Sequence, residues 1–190
     1  MFFESNQMFE TKHLQLIPFS LNLIKATLVG KSKLSELLAV TIPDCWPGDD
    51  FAEVLPTLIA QMEAEASTVA WNWLIMHKQD RTIIGDVGFM GGPKDGKAEI
   101  GYSIVPEYRN RGYATEAALY LIHWVLQQRE IRLVIAQCLN DNLGSIKVLE
   151  KLGMQQLEPD GPMLQWEAHS ASISSNSPIS EDNQRSHLQR

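Results

Sequence analysis

Two arginines and a glycine near residue 110 make up the part of this sequence whose chemistry is easiest to define. A strand-like segment ends before Pro106, because proline cannot continue as a paired strand. Arg109, Arg111 and Gly112 follow, and an amphipathic helix is predicted to begin near Tyr113. The N–H groups at a helix N-terminus carry partial positive charge and bind anions. Because two guanidinium groups add positive charge here, the stretch predicts a phosphate-binding loop.

Residue sizes in this loop support the same interpretation. Gly112 can adopt a positive φ and lets a ligand approach the backbone closely, and Ala114 is small. The sequence has neither the P-loop pattern of nucleotide triphosphatases nor the GxGxxG pattern of dinucleotide-binding folds. Taken alone, residues 109–114 could also be a surface turn with solvated arginines. Their position between a strand and a helix favours the phosphate interpretation.

Glu99 lies on the strand that leads into this loop and is the best candidate for a general base. Its neighbours Ala98 and Ile100 are apolar, and such surroundings raise the pKa of a carboxyl group towards neutrality. The alternative is a glutamate at a sheet edge that pairs with Lys97 or offsets the charge of the two loop arginines.

Asn142 and Ser145 form a second group of candidates. Asparagine is a good N-cap residue, so Asn142 predicts the start of a helix with Ser145 at its third position. A capped helix explains both residues on local grounds. A site role for either one therefore needs further support.

Other residues could serve an acceptor site. Trp46, Trp71 and Trp73 could line it, although core packing explains Trp71 and Trp73 at least as well, because they share one strand face. The loop that contains Asp44, Asp49 and Asp50 could attract a cationic amine, or it could simply be a solvated acidic loop.

The composition sets limits on the partners. The 190 residues include 16 Lys and Arg against 23 Asp and Glu, a net charge of −7, so binding to nucleic acid or to an anionic membrane is not expected. No apolar stretch suits a signal peptide or a membrane span. Cys45 and Cys138 are far apart, the five histidines share no metal-ligand spacing, and no metal is expected. These features favour a cytoplasmic protein.

Hydrophobic periodicity predicts the order β-α-α-β-β-β-α-β-α-β. The predicted strands are 12–18, 69–78, 82–90, 98–105, 132–139 and 163–167, and the predicted helices are 21–40, 51–65, 113–129 and 145–152. This order indicates an α/β (α+β) fold with a mixed, mostly antiparallel central sheet and helices on both faces. Residues 1–168 are predicted to form one domain, and the Ser-rich segment 169–190 is predicted to be a disordered tail.

Several segments resemble the GNAT superfamily of acyl-CoA-dependent N-acetyltransferases. Residues 109–114, Arg-Asn-Arg-Gly-Tyr-Ala, are similar to Gln/Arg-x-x-Gly-x-Gly/Ala, the motif that binds the coenzyme A pyrophosphate in that family. Residues 11–19 and 84–89 resemble its first and third strands. Residues 98–117 and the Asn-x-x-Ser helix at 142–154 resemble the branch that includes the ribosomal-protein N-terminal (alanine/serine) acetyltransferases.

The resemblance implies direct transfer of an acetyl group from acetyl-CoA to a primary amine, either a protein N-terminus or a small molecule. Glu99 would be the base, a role that some family members give to a carboxylate near this strand position. Ser145 would donate a hydrogen bond to the leaving thiolate. The residues that the resemblance places around the cofactor are Ile104, Val105, Arg109, Asn110, Arg111, Gly112, Tyr113, Ala114 and Asn142. A homodimer would be compatible with the family.

One departure from the family pattern concerns the general acid. Many relatives carry a tyrosine on the helix after Asn142, whereas this chain has Leu149 and Glu150 there. Either Ser145 takes the role, or the thiolate leaves unprotonated, or Tyr102 or Tyr108 supplies the hydroxyl. The missing tyrosine also leaves open an alternative function, a non-catalytic acyl-CoA-binding regulatory or interaction module.

Overall fold

The computed structural model describes residues 7–64, 71–158 and 161–169. Within these ranges the strands are β1 (Phe9–Glu10), β2 (Leu14–Pro18), β3 (Asn72–His77), β4 (Thr82–Phe89), β5 (Lys97–Ile104), β6 (Leu133–Leu139), β7 (Gln155–Gln156) and β8 (Met163–His169). The α-helices are α1 (Leu21–Val29), α2 (Lys31–Leu38), α3 (Asp49–Ala64), α4 (Tyr113–Leu126) and α5 (Leu143–Lys151). His169 ends β8, and the rest of the segment predicted as a tail lies outside the described residues.

All eight strands form one sheet in the order β1-β2-β3-β4-β5-β6-β8-β7. Neighbouring strands pair antiparallel except β5 and β6, which are parallel because α4 connects them as a crossover. The predicted mixed, mostly antiparallel sheet is confirmed. None of the helices in the described ranges is both long enough and apolar enough to cross a membrane.

The two parallel strands separate after three residues. They pair only where Lys97–Glu99 lies beside residues 133–135 of β6. Beyond Glu99, the rest of β5 pairs with β4 alone, and the rest of β6 pairs with β8 alone. A gap therefore opens in the middle of the sheet, and it faces the loop that follows β5.

Helices and loops cover both faces of the sheet beside this gap. Side chains alternate between the two faces along β5. Tyr102 lies on the face covered by α5, because its hydroxyl donates to the backbone oxygen of Ser145, and α4 packs beside α5. Ser103 lies on the opposite face with Asp86, and Trp46 reaches Asp86 from the loop between α2 and α3.

The predicted single helix over residues 21–40 is wrong, because the structure has two helices that meet at Gly30. The N–H of Gly30 donates to the carbonyl of Ala26 and ends α1, and its own carbonyl accepts the N–H of Leu34 in α2. Its φ of 146° lies in a region that glycine adopts readily and other residues rarely adopt. The short edge strands β1 and β7 were not predicted, since two residues are too few to show a period.

Tryptophan packing confirms the core interpretation for Trp73. Its side chain is fully buried, and its ring contacts Phe9 and Trp124. Trp71 is half-buried and also packs on Trp124. Both residues therefore lie on the α4 face, away from the face that carries Ser103 and Asp86.

Glu116 joins the start of α4 to the β1–β2 turn. Its carboxylate accepts hydrogen bonds from the Thr11 hydroxyl at 2.6 Å and from the His13 backbone N–H at 2.8 Å, and it lies 2.8 Å from His13 Nδ1. Partial burial acts to raise the pKa of Glu116, but these hydrogen bonds outweigh it and lower that pKa.

Glu116→Gln is expected to lower the free energy of unfolding by about 1–2 kcal/mol at pH 7, because charge-assisted hydrogen bonds are lost. A lowered folded-state pKa stabilises the protein above the unfolded-state value, and the contribution disappears as the pH falls through the folded-state value. Urea melts of both proteins between pH 7 and pH 3 should therefore converge at low pH. A difference in the free energy of unfolding that stays constant with pH would contradict this role of Glu116. Glu53→Gln, at an exposed position of α3, is the control.

Candidate active site

The loop after β5 has the backbone geometry of an anion site. A short 3-10 turn, Pro106–Tyr108, follows the strand. Asn110 and Gly112 then adopt left-handed conformations, with φ of 60° and 86°. Left-handed residues within a turn direct neighbouring N–H groups towards a common concavity that binds anions. Arg109 is fixed at this turn, because its Nε donates to the Ile104 carbonyl at 2.8 Å.

The N-terminus of α4 adjoins this turn and adds further N–H donors. Gly112 is the N-cap residue, and no side chain caps the helix. The Gly112 carbonyl accepts the N–H of Glu116, which is the first helical hydrogen bond. The N–H groups of residues 113–115 precede that bond and are therefore available to a ligand. We call residues 109–115 the phosphate cradle, after the ligand that the sequence predicts for them.

A cluster of polar aromatic residues supports the cradle from behind. Tyr113 and Tyr108 flank the buried ring of His77, at centroid distances of 5.0 and 5.5 Å. Asp80 accepts from the Tyr108 hydroxyl at 2.7 Å and lies 2.9 Å from His77 Nδ1. The Tyr113 hydroxyl lies 3.0 Å from Nε2 of the same ring, so both ring nitrogens of His77 have a polar partner. Arg111 stacks over Tyr108 at 5.3 Å.

Backbone groups of β5 point into the gap. Glu99 accepts the N–H of Met90, and Val105 donates to Ile84, so the backbone groups of these residues face β4. Alternate residues of a strand direct their N–H and C=O groups to opposite sides, so Tyr102 and Ile104 direct theirs towards the gap. The Ile104 carbonyl accepts from Arg109, and the Val105 carbonyl accepts the N–H of Tyr108.

Helix α5 borders the gap on the α4 face. The predicted cap is confirmed: Asn142 is the N-cap, and its Oδ1 accepts the N–H of Ser145 at 3.0 Å. The Tyr102 hydroxyl reaches across to the Ser145 carbonyl at 3.3 Å. Burial raises the pKa of Tyr102, so its hydroxyl stays protonated. Tyr108 instead points to Asp80, so of the two tyrosines only Tyr102 lies at the gap.

Three residues of β5 form a strip along the opposite face of the sheet. Glu99, Gly101 and Ser103 share that face and are each partly exposed, whereas Ile100 and Ile104 are buried on the other side. Glu99 forms no ion pair with any residue that the structure describes, and its strand is central rather than at a sheet edge.

Sequence reasoning missed a buried carboxyl group beside this strip. Asp86 on β4 is only 7% exposed and lies opposite Ser103 in the β4–β5 register. Its Oδ2 accepts from Ser103 Oγ at 2.7 Å and from Trp46 Nε1 at 2.9 Å. Burial raises the pKa of Asp86 to about 6, against the lowering effect of both hydrogen bonds. The only sign of this group in the sequence was an aspartate within the largely apolar strand segment 82–89.

The structure thus brings the predicted site residues to one region around the gap. The phosphate cradle lies at its mouth, Ser145 borders it on the α4 face, and Glu99 lies where β5 and β6 separate. Among the described residues, no group of three or more His, Cys, Asp or Glu side chains is arranged to hold a metal ion.

Comparisons with known proteins identify the family to which the chain belongs. Residues 32–155 match the family model described as "Acetyltransferase (GNAT) domain". A Bacillus subtilis (strain 168) protein, named uncharacterized N-acetyltransferase YjdG, is 34% identical over 146 residues, which cover 76% of this chain and 87% of that protein. The chain belongs to the GNAT acetyltransferase family, whose members use acetyl-CoA.

Solved structures show the same fold at low sequence identity. The ribosomal-protein-S5-alanine acetyltransferase of Vibrio fischeri superimposes with a TM-score of 0.58 at 17% identity, covering 88% of this chain and 98% of that one. The microcin self-immunity acetyltransferase MccE, solved in complex with acetyl-CoA and AMP, gives a TM-score of 0.56 at 16% identity, covering 84% and 93%.

Proposed function

We propose that this enzyme transfers the acetyl group of acetyl-CoA to a primary amine by direct attack of the amine on the thioester. The observation that carries the proposal is the phosphate cradle at the mouth of the gap between β5 and β6. A cofactor with its pyrophosphate in the cradle can extend its pantetheine arm along β5, where backbone groups lack a partner strand.

The proposed cofactor contacts follow from this placement. The pyrophosphate is bound by the N–H groups of residues 110–114, with Arg109 and Arg111 supplying positive charge. The gap-facing N–H groups of Ile104 and Tyr102 bond the pantetheine amides. The N–H of Val105 bonds Ile84 and its C=O bonds Tyr108, so neither is available to the cofactor. We therefore assign the pantetheine contact that the resemblance gave to Val105 to the backbone N–H of Tyr102. Asn142 keeps its amide NH₂ available to the pantetheine while its oxygen caps α5.

The two reactants approach from opposite faces of the sheet. Helices α4 and α5 cover the face on which the arm enters, so the amine comes from the face of Glu99, Gly101 and Ser103. An amine is protonated in water and must lose a proton before it attacks. Glu99 is the proposed base for this step, since it is partly exposed and forms no ion pair with the described residues.

The leaving thiolate departs on the α4 face. Ser145 at the start of α5 is the proposed donor. The Tyr102 hydroxyl beside it donates to the Ser145 carbonyl in this structure, and it becomes a second donor to the thiolate when it turns away from that carbonyl. Tyr102 supplies the hydroxyl that family members carry on the helix itself. A hydroxyl at the gap is the feature that favours an enzyme over the non-catalytic acyl-CoA-binding alternative.

The acceptor is proposed only as a primary amine, on a protein N-terminus or on a small molecule. Structural neighbours include both a ribosomal-protein-S5-alanine acetyltransferase and a microcin self-immunity acetyltransferase, so the fold alone does not choose between the two classes of acceptor. A cytoplasmic location is proposed because Cys45 and Cys138 are both free thiols, as is usual in a reducing compartment.

The test is release of free thiol from acetyl-CoA in the presence of primary amines. The panel contains an alanyl peptide, a seryl peptide, 1,4-diaminobutane, lysine and an aminoglycoside, and products are identified by a mass increase of one acetyl group. Thiol release with a matching acetylated product supports the proposal. Binding of acetyl-CoA without thiol release from any amine of the panel would contradict it and favour the non-catalytic module.

A further inference from the structure

Asp86 and Ser103 form a pair that the proposed mechanism leaves unused. The carboxyl group is buried under Trp46, and the serine above it is partly exposed on the strip that faces the incoming amine. The Ser103 hydroxyl therefore links the buried Asp86 carboxylate by a hydrogen bond to the face of the sheet from which the amine approaches.

A carboxylate at this position costs more than an amide would. Burial of an ionised group in apolar surroundings is unfavourable, and Asp86 is flanked by Leu74 on β3 and by the indole of Trp46. An asparagine oxygen could accept the same two hydrogen bonds from Trp46 and Ser103 without that cost. A purely structural role, in which residue 86 holds the loop of Trp46 in place, therefore does not explain why the residue is an aspartate and not an asparagine.

The hydrogen bond also fixes what Ser103 can offer to a ligand. A hydroxyl has one proton and two lone pairs, and the Ser103 proton points to Asp86 Oδ2 at 2.7 Å. The lone pairs remain for another partner. Ser103 can therefore accept an N–H hydrogen bond from an amine over Gly101, which has no side chain of its own and has the exposed Met90 side chain beside it.

The reaction itself requires a second proton acceptor. An ammonium group loses two protons when it becomes an amide N–H, and Glu99 accounts for the first. The second proton is on the nitrogen of the tetrahedral adduct, which is positively charged once the C–N bond has formed. This proton must leave as the C–S bond breaks.

We propose that Ser103 and Asp86 form a proton relay that accepts this second proton. The adduct nitrogen gives its proton to Ser103 Oγ, and the Ser103 proton moves to Asp86 Oδ2. The C–S electron pair leaves with the sulfur as a thiolate, which is protonated from the Tyr102 and Ser145 side or by solvent. Asp86 afterwards returns its proton to solvent through Ser103. The relay rests on the proposed acetyl transfer to an amine.

The relay makes a specific prediction about pH. It works only while Asp86 is ionised, so kcat should decline as the pH falls below about 6, the raised pKa of this carboxyl group. The side chains that bond Asp86 from β5 and from the loop before α3, Ser103 and Trp46, are uncharged, as is its β3 neighbour Leu74. No charged side chain contributes to the raised pKa of Asp86, and the part of the acid limb that is lost in Asp86→Asn is therefore attributed to Asp86 and not to Glu99.

The test measures kcat between pH 5 and pH 9, with saturating acetyl-CoA and the panel amine of highest rate. Asp86→Asn and Ser103→Ala should each lower kcat by about 100-fold, the lower range for acid–base catalysis, and leave acetyl-CoA affinity unchanged. Ser103→Thr, which restores a hydroxyl, should recover most of the rate. Trp46→Phe removes a hydrogen bond that lowers the pKa of Asp86, so the acid limb should move to higher pH.

The outcomes separate the relay from the proposed function. A wild-type rate in folded Asp86→Asn would overturn the relay while acetyl transfer stands. The relay would also be overturned if Asp86→Asn lowered kcat but kept the wild-type acid limb, because the residue would then have only a structural role. Failure of Ser103→Thr to recover the rate lost in Ser103→Ala would overturn it for the same reason. Absence of thiol release from the wild-type protein with every amine of the panel would instead reject the proposed function.

Discussion

Glu99→Gln is expected to lower kcat by about 10²- to 10⁴-fold, the range for loss of a general base, and to leave acetyl-CoA affinity unchanged. Glutamine has nearly the same shape but cannot accept the proton that the incoming ammonium must lose. Glu99 lies on the face of the sheet from which the amine is proposed to approach, so its replacement does not alter the phosphate cradle. Thiol release measures kcat, and isothermal titration calorimetry measures the Kd of acetyl-CoA.

Glu167→Gln is the matched control for this result. Ile135 of β6 lies between the two glutamates, because it pairs with Glu99 on one side and with Glu167 on the other. Both carboxylates are partly exposed on the same face of the sheet. Loss of the glutamate charge at this control position should change kcat by only a few-fold. Equal losses in both variants, or normal turnover in Glu99→Gln, would show that Glu99 is not the base.

Gly112→Glu is expected to weaken acetyl-CoA binding by more than about 100-fold. The glycine caps α4 in the centre of the phosphate cradle, so a carboxylate there would lie close to the pyrophosphate. At a separation of about 5 Å and an effective dielectric constant of 20, repulsion between two unit charges is about 3 kcal/mol, which corresponds to more than 100-fold in Kd.

Gly112→Asn separates this charge effect from backbone strain. The φ of Gly112 is 86°, and a Cβ there would meet no heavy atom within 4 Å, so strain is the main cost that both variants share. Asparagine tolerates the left-handed region better than most residues, and it carries no charge. Its Kd should rise only a few-fold by calorimetry. Similar Kd values for the two variants would contradict the charge argument, and unchanged binding in Gly112→Glu would remove the phosphate cradle from the account.

Local signals were sufficient for the parts of the site that are contiguous in sequence. Pro106 and the glycine at 112 indicate a strand end, a turn and a helix start, and these three features follow one another between Ile104 and Tyr113. Asn142 and Ser145 likewise define a cap within a single turn. The order of the longer elements followed from their apolar patterning, because the helices bury one face and the strands β3 and β4 bury both.

Features that depend on pairing between distant strands could not be predicted. Separation of β5 from β6 arises because residues 136–139 pair with β8 alone, and no residue of β5 signals it. Asp86 is significant only because the register places it opposite Ser103 and beneath Trp46, which are 17 and 40 residues away in sequence. The helix break at Gly30 was missed because one glycine within an apolar period is compatible with a continuous helix.

The most direct test of the account is thermal melting of the full chain with and without millimolar acetyl-CoA, with NAD and ATP as controls. A ligand at about 100 times its Kd stabilises the folded state by roughly 2.7 kcal/mol, which corresponds to a rise in Tm of about 5–10 °C for a protein of this size. This rise is expected with acetyl-CoA, and no comparable rise is expected with NAD or ATP. A folded sample whose Tm does not respond to acetyl-CoA would contradict the phosphate cradle and the acetyl transfer that depends on it.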